Sequence, residues 1–267
     1  MPTLTVNDTE LYVERRGEGE PLLLVQGMTG HSLHWGEPLL SALERDFELV
    51  LYDHRGVGRS APHEGPLQIA DLASDAAALL DALHVERAHV LGISMGGMVA
   101  QELALAAPER VLTLTLGATY CGGPGSRFTD DRVVNDLAMA ILSGDEDRKI
   151  RTGWSFNVSP AFASAEGNFE HFSGLAAAYP VSLAMVMAQV QAIIAHDTHA
   201  RLGEIAAPTL VVHGTADQML ASSNGELVAS LIPNARLELL DGVGHLFFWE
   251  QPERVAQLVA EHAAASV

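Results

Sequence analysis

Short apolar runs recur along the chain at 21–26 (PLLLVQ), 47–52 (FELVLY), 88–91 (AHVL), 111–116 (VLTLTL), 208–213 (PTLVVH) and 236–240 (RLELL). Runs this short and this continuous are what a strand covered on both faces requires. Between them, apolar residues recur at helical spacing over 33–43, 69–83, 97–105, 222–231 and 252–262. Ahead of them, 3–6 and 11–15 alternate apolar and polar positions around Asn7-Asp8, the pattern of an edge hairpin. Repeated alternation of strand and helix predicts an α/β fold: a mostly parallel, twisted sheet with helices on both faces. The rhythm breaks after 117. Gly122-Gly123-Pro124-Gly125 reads as a flexible link, and helical spacing follows over 130–142, 145–154 and 181–196 with no buried strand among them. The expected organisation is a core domain of 1–117 and 203–267, with 118–202 inserted as a helical cap.

Gly92-Ile93-Ser94-Met95-Gly96 lies between the 88–91 strand and the 97–105 helix. A serine at the apex of so sharp a strand-to-helix turn is strained and needs small neighbours, and its hydroxyl stands clear of the sheet edge. The first amides of the following helix have no partner within the helix, and with the helix dipole they can stabilise an oxyanion. A simpler reading, a βα turn with a capping serine, fits the five residues alone; their place between strand and helix favours the nucleophile.

A serine needs a base to take its proton. In open parallel sheets, sites form beyond the carboxyl ends of the strands, so the base and its orienting acid should follow other strands at that edge. His245 follows the last strand on Gly242-Val243-Gly244, and Asp217 follows the strand before it. The chain order is therefore serine, acid, histidine.

Composition narrows the class. A chain of 267 residues with 48% hydrophobic and 18% charged content can bury one large core. Its formal charge of −19 repels nucleic acid and anionic membrane surfaces, so neither is an expected partner. A single cysteine, Cys121, permits no intrachain disulfide. The first 20 residues lack the basic-then-apolar pattern of a signal peptide, and no apolar run is long enough to cross a bilayer. A soluble, cytoplasmic protein is expected.

Taken together, the Gln26-Gly27 loop, DHRGVGRS at 53–60, GISMGG at 92–97, HGTADQM at 213–219 and GVGH at 242–245 resemble the α/β-hydrolase superfamily. The combination is most similar to small capped serine esterases and lactonases of the 3-oxoadipate enol-lactonase type and to cofactor-free haloperoxidase-type esterases. The resemblance implies Ser94 as nucleophile, His245 as general base and then acid, and Asp217 as the orienting carboxylate. It also implies the backbone amides of Met28 and Met95 as oxyanion donors, and neither a metal nor an organic cofactor. One departure stands out: many relatives carry His-Gly where this chain has Gln26-Gly27, though a glutamine can still brace the loop by hydrogen bonding.

Asp53 and Asp241 are rival acids, the first on the far side of the elbow and the second only four residues before His245. His63, His84 and His89 read as surface or loop histidines, and His213 as a brace for the acid loop. His196 and His199 share a helix face, but with no third ligand they read as solvated. Gly56-Val57-Gly58 lacks the context of a phosphate loop. Trp35, Trp154, Phe247 and Phe248 are candidates to line an apolar pocket, with plain core packing the alternative. Arg127, Arg132 and Arg151 could meet a carboxylate substrate or simply be solvated. The expected activity is hydrolysis of a small-molecule carboxylic ester or lactone. Perhydrolysis and carbon–carbon hydrolysis use the same triad, and a ligand receptor on a hydrolase scaffold is the reading from another class. Assembly into a homo-oligomer stays open.

Overall fold

The computed structural model describes residues 3–266. Eight strands, β1 (Thr3–Val6), β2 (Thr9–Arg16), β3 (Glu20–Val25), β4 (Phe47–Tyr52), β5 (Ala88–Ile93), β6 (Val111–Gly117), β7 (Thr209–Gly214) and β8 (Arg236–Leu240), form one sheet in the order β1-β2-β4-β3-β5-β6-β7-β8. β3 to β8 run parallel, while β2 pairs antiparallel with both β1 and β4. Asn7 closes the β1–β2 hairpin at φ 51, a conformation asparagine tolerates.

The parity of each apolar run decides which layer it feeds. Leu23 and Val25 join one buried cluster, with Leu72 and Leu79 of α2 (Ile69–Ala82) and Met98 and Leu103 of α3 (Met95–Ala106). Leu22 and Leu24 join the other, with Leu39 and Leu43 of α1 (Glu37–Leu43) and Val255 and Leu258 of the C-terminal helix (Pro252–Ala264). Helices therefore cover both faces, as the pattern predicts. The 33–43 segment is not one helix: a 3-10 turn over Ser32–Trp35 ends at Gly36, whose φ of 73 separates it from α1.

Between β6 and β7 the chain forms α4 (Asp131–Leu142), α5 (Glu146–Asn157), α6 (Pro160–Ala163), α7 (Asn168–Ala176) and α8 (Leu183–Ala195). α6 and α7 fall in a stretch where the sequence pattern predicts no helix. Asp130, Asp145, Ser159 and Ser182 cap α4, α5, α6 and α8 through side-chain oxygens. After β7 come α9 (Ser223–Leu231), α10 (Phe247–Glu250) and the C-terminal helix, α11. No helix among the described residues is long and apolar enough to cross a membrane.

Candidate active site

Ser94 follows β5 and precedes α3, with φ 54 and ψ −122. Few non-glycine residues hold such a backbone conformation, and those that do cluster at functional sites. Two glycines make it possible by proximity. A Cβ on Gly92 would lie 2.3 Å from the Gly96 carbonyl oxygen, and one on Gly96 would lie 2.1 Å from that of Val25. The turn is tied down by the Ser94 amide, which donates to the Gly117 carbonyl at 2.9 Å, and by the Thr119 hydroxyl, which donates to the Ser94 carbonyl at 2.7 Å. Ser94 is only partly buried, and among the described residues its Oγ has no hydrogen-bond partner. Catalytic hydrogen bonds of unliganded enzymes are often long.

Asp217 follows β7 and His245 follows β8, at the same sheet edge as Ser94. His245 Nδ1 lies 2.7 Å from Asp217 Oδ2. His213 Nε2 faces Asp217 Oδ2 at 3.1 Å and the Leu220 carbonyl at 2.9 Å, so it carries a proton and donates. The amides of Met219 and Leu220 donate to Asp217 Oδ1 at 2.8 and 2.9 Å. Burial of Asp217 opposes its charge, but His245 and His213 outweigh it and hold the carboxyl down at about 2. Asp217 is thus ionised near neutral pH and can only accept. His245 must place its proton on Nδ1, leaving Nε2 with a free lone pair.

On the other side of Ser94 lies the loop after β3. A Cβ on Gly27 would sit 3.2 Å from Ser94 Cβ. Three of the loop's four amides are engaged. Gly27 donates to Gln26 Oε1 at 2.8 Å, Thr29 to Gln189 Oε1 at 2.9 Å, and Gly30 to the Gly27 carbonyl at 3.1 Å. Of these four, only the Met28 amide has no acceptor among the described residues. Gln26 therefore braces the loop through its own side chain, a role for which its sequence position gave only a hint. Gln189, on α8, was not among the sequence candidates; 160 residues separate it from Thr29. The amide of Met95, as the first of α3, has no partner within the helix.

The rival acids lie elsewhere. Asp53 is fully buried and accepts from the amides of Ser32 at 2.7 Å and Arg59 at 2.9 Å, while exposed Asp241 accepts from the Thr215 hydroxyl at 3.2 Å. The four aromatic pocket candidates are packed as core. Trp35 and Phe248 pack at a tilt with ring centroids 5.1 Å apart in the cluster beneath α1 and α11. Phe247 fills the space beside Gly117, and Trp154 centres the insertion's own cluster with Phe162, Phe169 and Phe172. Arg127 is exposed; Arg132 and Arg151 are exposed too and face Asp136 and Asp147 of their own helices.

Two histidine expectations need correction. His89 is buried on β5, with Nδ1 2.8 Å from Thr113 Oγ1. His196 is buried as well, against Tyr120 and Thr198. No group of three or more metal-ligating side chains occurs among the described residues. A depression of about 750 Å³ lined by Asp81, His84, Arg87, Glu109 and Arg110 lies at the amino end of β5 and β6, the wrong edge for Ser94.

Comparison with known proteins fits this geometry. The sequence profile of the Alpha/beta hydrolase family matches residues 22–258. A protein of Azorhizobium caulinodans provisionally named carbamate hydrolase RutD is 33% identical over 255 residues, 95% of this chain and 94% of that one. A hydrolase of Pseudomonas aeruginosa PA01 superposes with a TM-score of 0.85 at 32% identity, covering 98% of this chain and 97% of its own. The enol-lactonase of Burkholderia xenovorans LB400 superposes with a TM-score of 0.86 at 25% identity, covering 98% of this chain and 100% of its own.

Proposed function

Because the chain belongs to the alpha/beta hydrolase family, we propose that it is a serine hydrolase that cleaves a carboxylic ester or lactone through an acyl-enzyme on Ser94. The observation that carries this reading is the 2.7 Å contact between His245 Nδ1 and Asp217 Oδ2 at the sheet edge where Ser94 stands strained and partly open. In this reading His245 Nε2 takes the Ser94 proton as Oγ attacks the carbonyl carbon. Asp217 holds the ring's tautomer and stabilises the imidazolium that forms. The negative oxygen of the tetrahedral intermediate is met by the amides of Met28 and Met95. Met28 suits this role because the amides of Gly27 and Thr29 beside it are already engaged. Collapse expels the alkoxide, which His245 protonates. Water, deprotonated by the same nitrogen, then attacks the acyl-enzyme and releases the acid and Ser94. Residues 118–202 serve as the cap over this chemistry.

An enol-lactonase and a provisional carbamate hydrolase among the similar proteins share one demand, a carbonyl carbon with a heteroatom leaving group. The test is turnover by the purified protein on p-nitrophenyl esters of graded chain length, a lactone set and carbamates, beside Ser94→Ala. Many cycles per chain on an ester or lactone, and less than about a thousandth of that in Ser94→Ala, are expected. Activity in Ser94→Ala above that level removes the serine from the reaction. A single slow turnover with retained product favours a receptor.

A further inference from the structure

We infer that Glu250 is a positioning residue whose carboxylate clamps the His245 loop to the helical insertion, so that the insertion sets the place of the imidazole. The kinetic consequence rests on the serine-hydrolase reading above; the clamp itself does not.

Glu250 is the last residue of α10, five positions after His245. Its Oε1 accepts from the Gly244 amide at 2.9 Å and from the Ser159 amide at 2.7 Å, and its Oε2 accepts from the Ser159 hydroxyl at 2.5 Å. Ser159 belongs to the α5–α6 junction, 91 residues away in sequence. On the other side of His245, the Leu246 amide donates to the Asn157 carbonyl at 2.7 Å. Both neighbours of His245 are thus tied to one short segment of the insertion, Gly244 through a shared carboxylate and Leu246 directly. The backbones are in contact there as well. A Cβ on Gly244 would lie 2.6 Å from the Val158 carbonyl carbon and 2.7 Å from the Ser159 nitrogen. Toward the sheet, the loop is tied as well: the Ala216 amide donates to the Val243 carbonyl at 2.9 Å and the Gly242 amide to the Thr215 hydroxyl at 2.8 Å.

Three donors converge on one half-buried carboxylate, and its partner Ser159 is buried. Hydrogen bonds to a charged acceptor are shorter and stronger than neutral ones. Without Glu250, the amides of Gly244 and Ser159 lose their acceptor in a packed interface. The loop then relaxes toward whatever geometry resolves them, and the imidazole moves with it. Misplacement by about 1 Å costs on the order of a hundredfold in rate.

The test compares Glu250→Ala, Glu250→Asp and Glu250→Gln in the full chain. It reads kcat and KM on a p-nitrophenyl ester, active sites counted by organophosphate titration, and amide exchange over 157–159 and 244–246. Glutamine keeps an Oε1 acceptor for both amides, and the Ser159 hydroxyl can turn to accept from its Nε2. We expect Glu250→Ala to lower kcat per active site about a hundredfold with KM within about threefold, and to speed exchange in both segments. Glu250→Asp, one methylene too short to span both amides, keeps the charge and should lose about thirtyfold, which serves if the alanine variant does not fold. Glu250→Gln should stay within about fivefold of the parent. Kcat within about threefold in the alanine or aspartate variant, or a glutamine variant as impaired as they are, overturns the inference. If the parent turns over no ester, the hydrolase reading fails and exchange alone decides. Faster exchange in Glu250→Ala but not in Glu250→Gln upholds the clamp, and unchanged exchange ends it.

Discussion

In the sheet, Leu22 to Val25 are all fully buried and feed two large clusters by strict alternation. In the helical insertion, the buried cluster is Trp154, Val158 and Phe169 with a few partners, while Met139, Leu142, Leu183 and Ile194 stand 56–75% exposed on α4 and α8. The insertion meets the rest through apolar contacts, with Met185 and Ala192 of α8 in the cluster of α2 and α3 and Trp249 against Trp154 and Phe172, and through polar ties. Gln189 meets Thr29, Glu250 meets Ser159, and the Leu246 amide meets Asn157. Two of these ties end on the loop carrying His245 and one on the loop carrying Met28. The difference separates two kinds of dependence. The sheet draws its stability from apolar burial, whereas changes in the insertion's polar ties should reach turnover before they reach stability.

The largest effect should come at the sheet edge. Asp217→Asn is expected to lower turnover about ten-thousandfold with circular dichroism unchanged, because an amide supplies no charge and can hold the wrong tautomer of His245. Near-parent turnover, with loss in Asp53→Asn or Asp241→Asn instead, would move the acid elsewhere. Leu24→Ala, in the middle of β3, should destabilise by about 2–5 kcal/mol in urea unfolding. A cost below about 1 kcal/mol would mean that this layer is not the stabilising core.

His196 sharpens the boundary between the two regions. It ends α8, and burial holds its imidazole down at about 4, against 6.5 for the free side chain. As pH falls below about 6.5 the unfolded chain takes up the proton first. The stability that neutral His196 contributes is therefore complete above that pH and is lost as pH falls toward 4, by up to about 3 kcal/mol. His196→Gln should flatten this decline relative to the parent in unfolding curves between pH 7 and 4; identical slopes would show that the imidazole is not buried in solution. The smallest effect belongs to Leu142→Ala on exposed α4, expected within about 0.5 kcal/mol. A loss comparable to that of Leu24→Ala would mean that a packing partner covers this helix.

Strand positions were legible because buried parallel strands leave unbroken apolar runs, and the placement of Ser94, Asp217 and His245 at one sheet edge was legible because each follows a parallel strand. The elbow's glycines announced a close approach, and the structure gives the atoms that demand it. The role of the aromatic candidates was not legible, since Trp35 and Phe248 look the same in sequence whether they line a pocket or fill a core. His89 was hidden for a similar reason: its partner Thr113 sits on the neighbouring strand, 24 residues on. Gln189 and Glu250 carried no signal of their ties to Thr29 and Ser159, which lie 160 and 91 residues away. Helix α7, NFEHFSGLA, mixes polar and apolar positions without a clean stripe, and its place depends on Phe169 and Phe172 meeting Trp154.

The most direct test of the central claim is covalent labelling of the parent by a fluorophosphonate, read by intact mass and peptide sequencing alongside residual ester turnover. One adduct per chain on Ser94, with turnover falling in step with labelling and no adduct in Ser94→Ala, is the expected result. Turnover that survives full labelling of Ser94, or is lost through an adduct on another residue while Ser94 stays free, would contradict it.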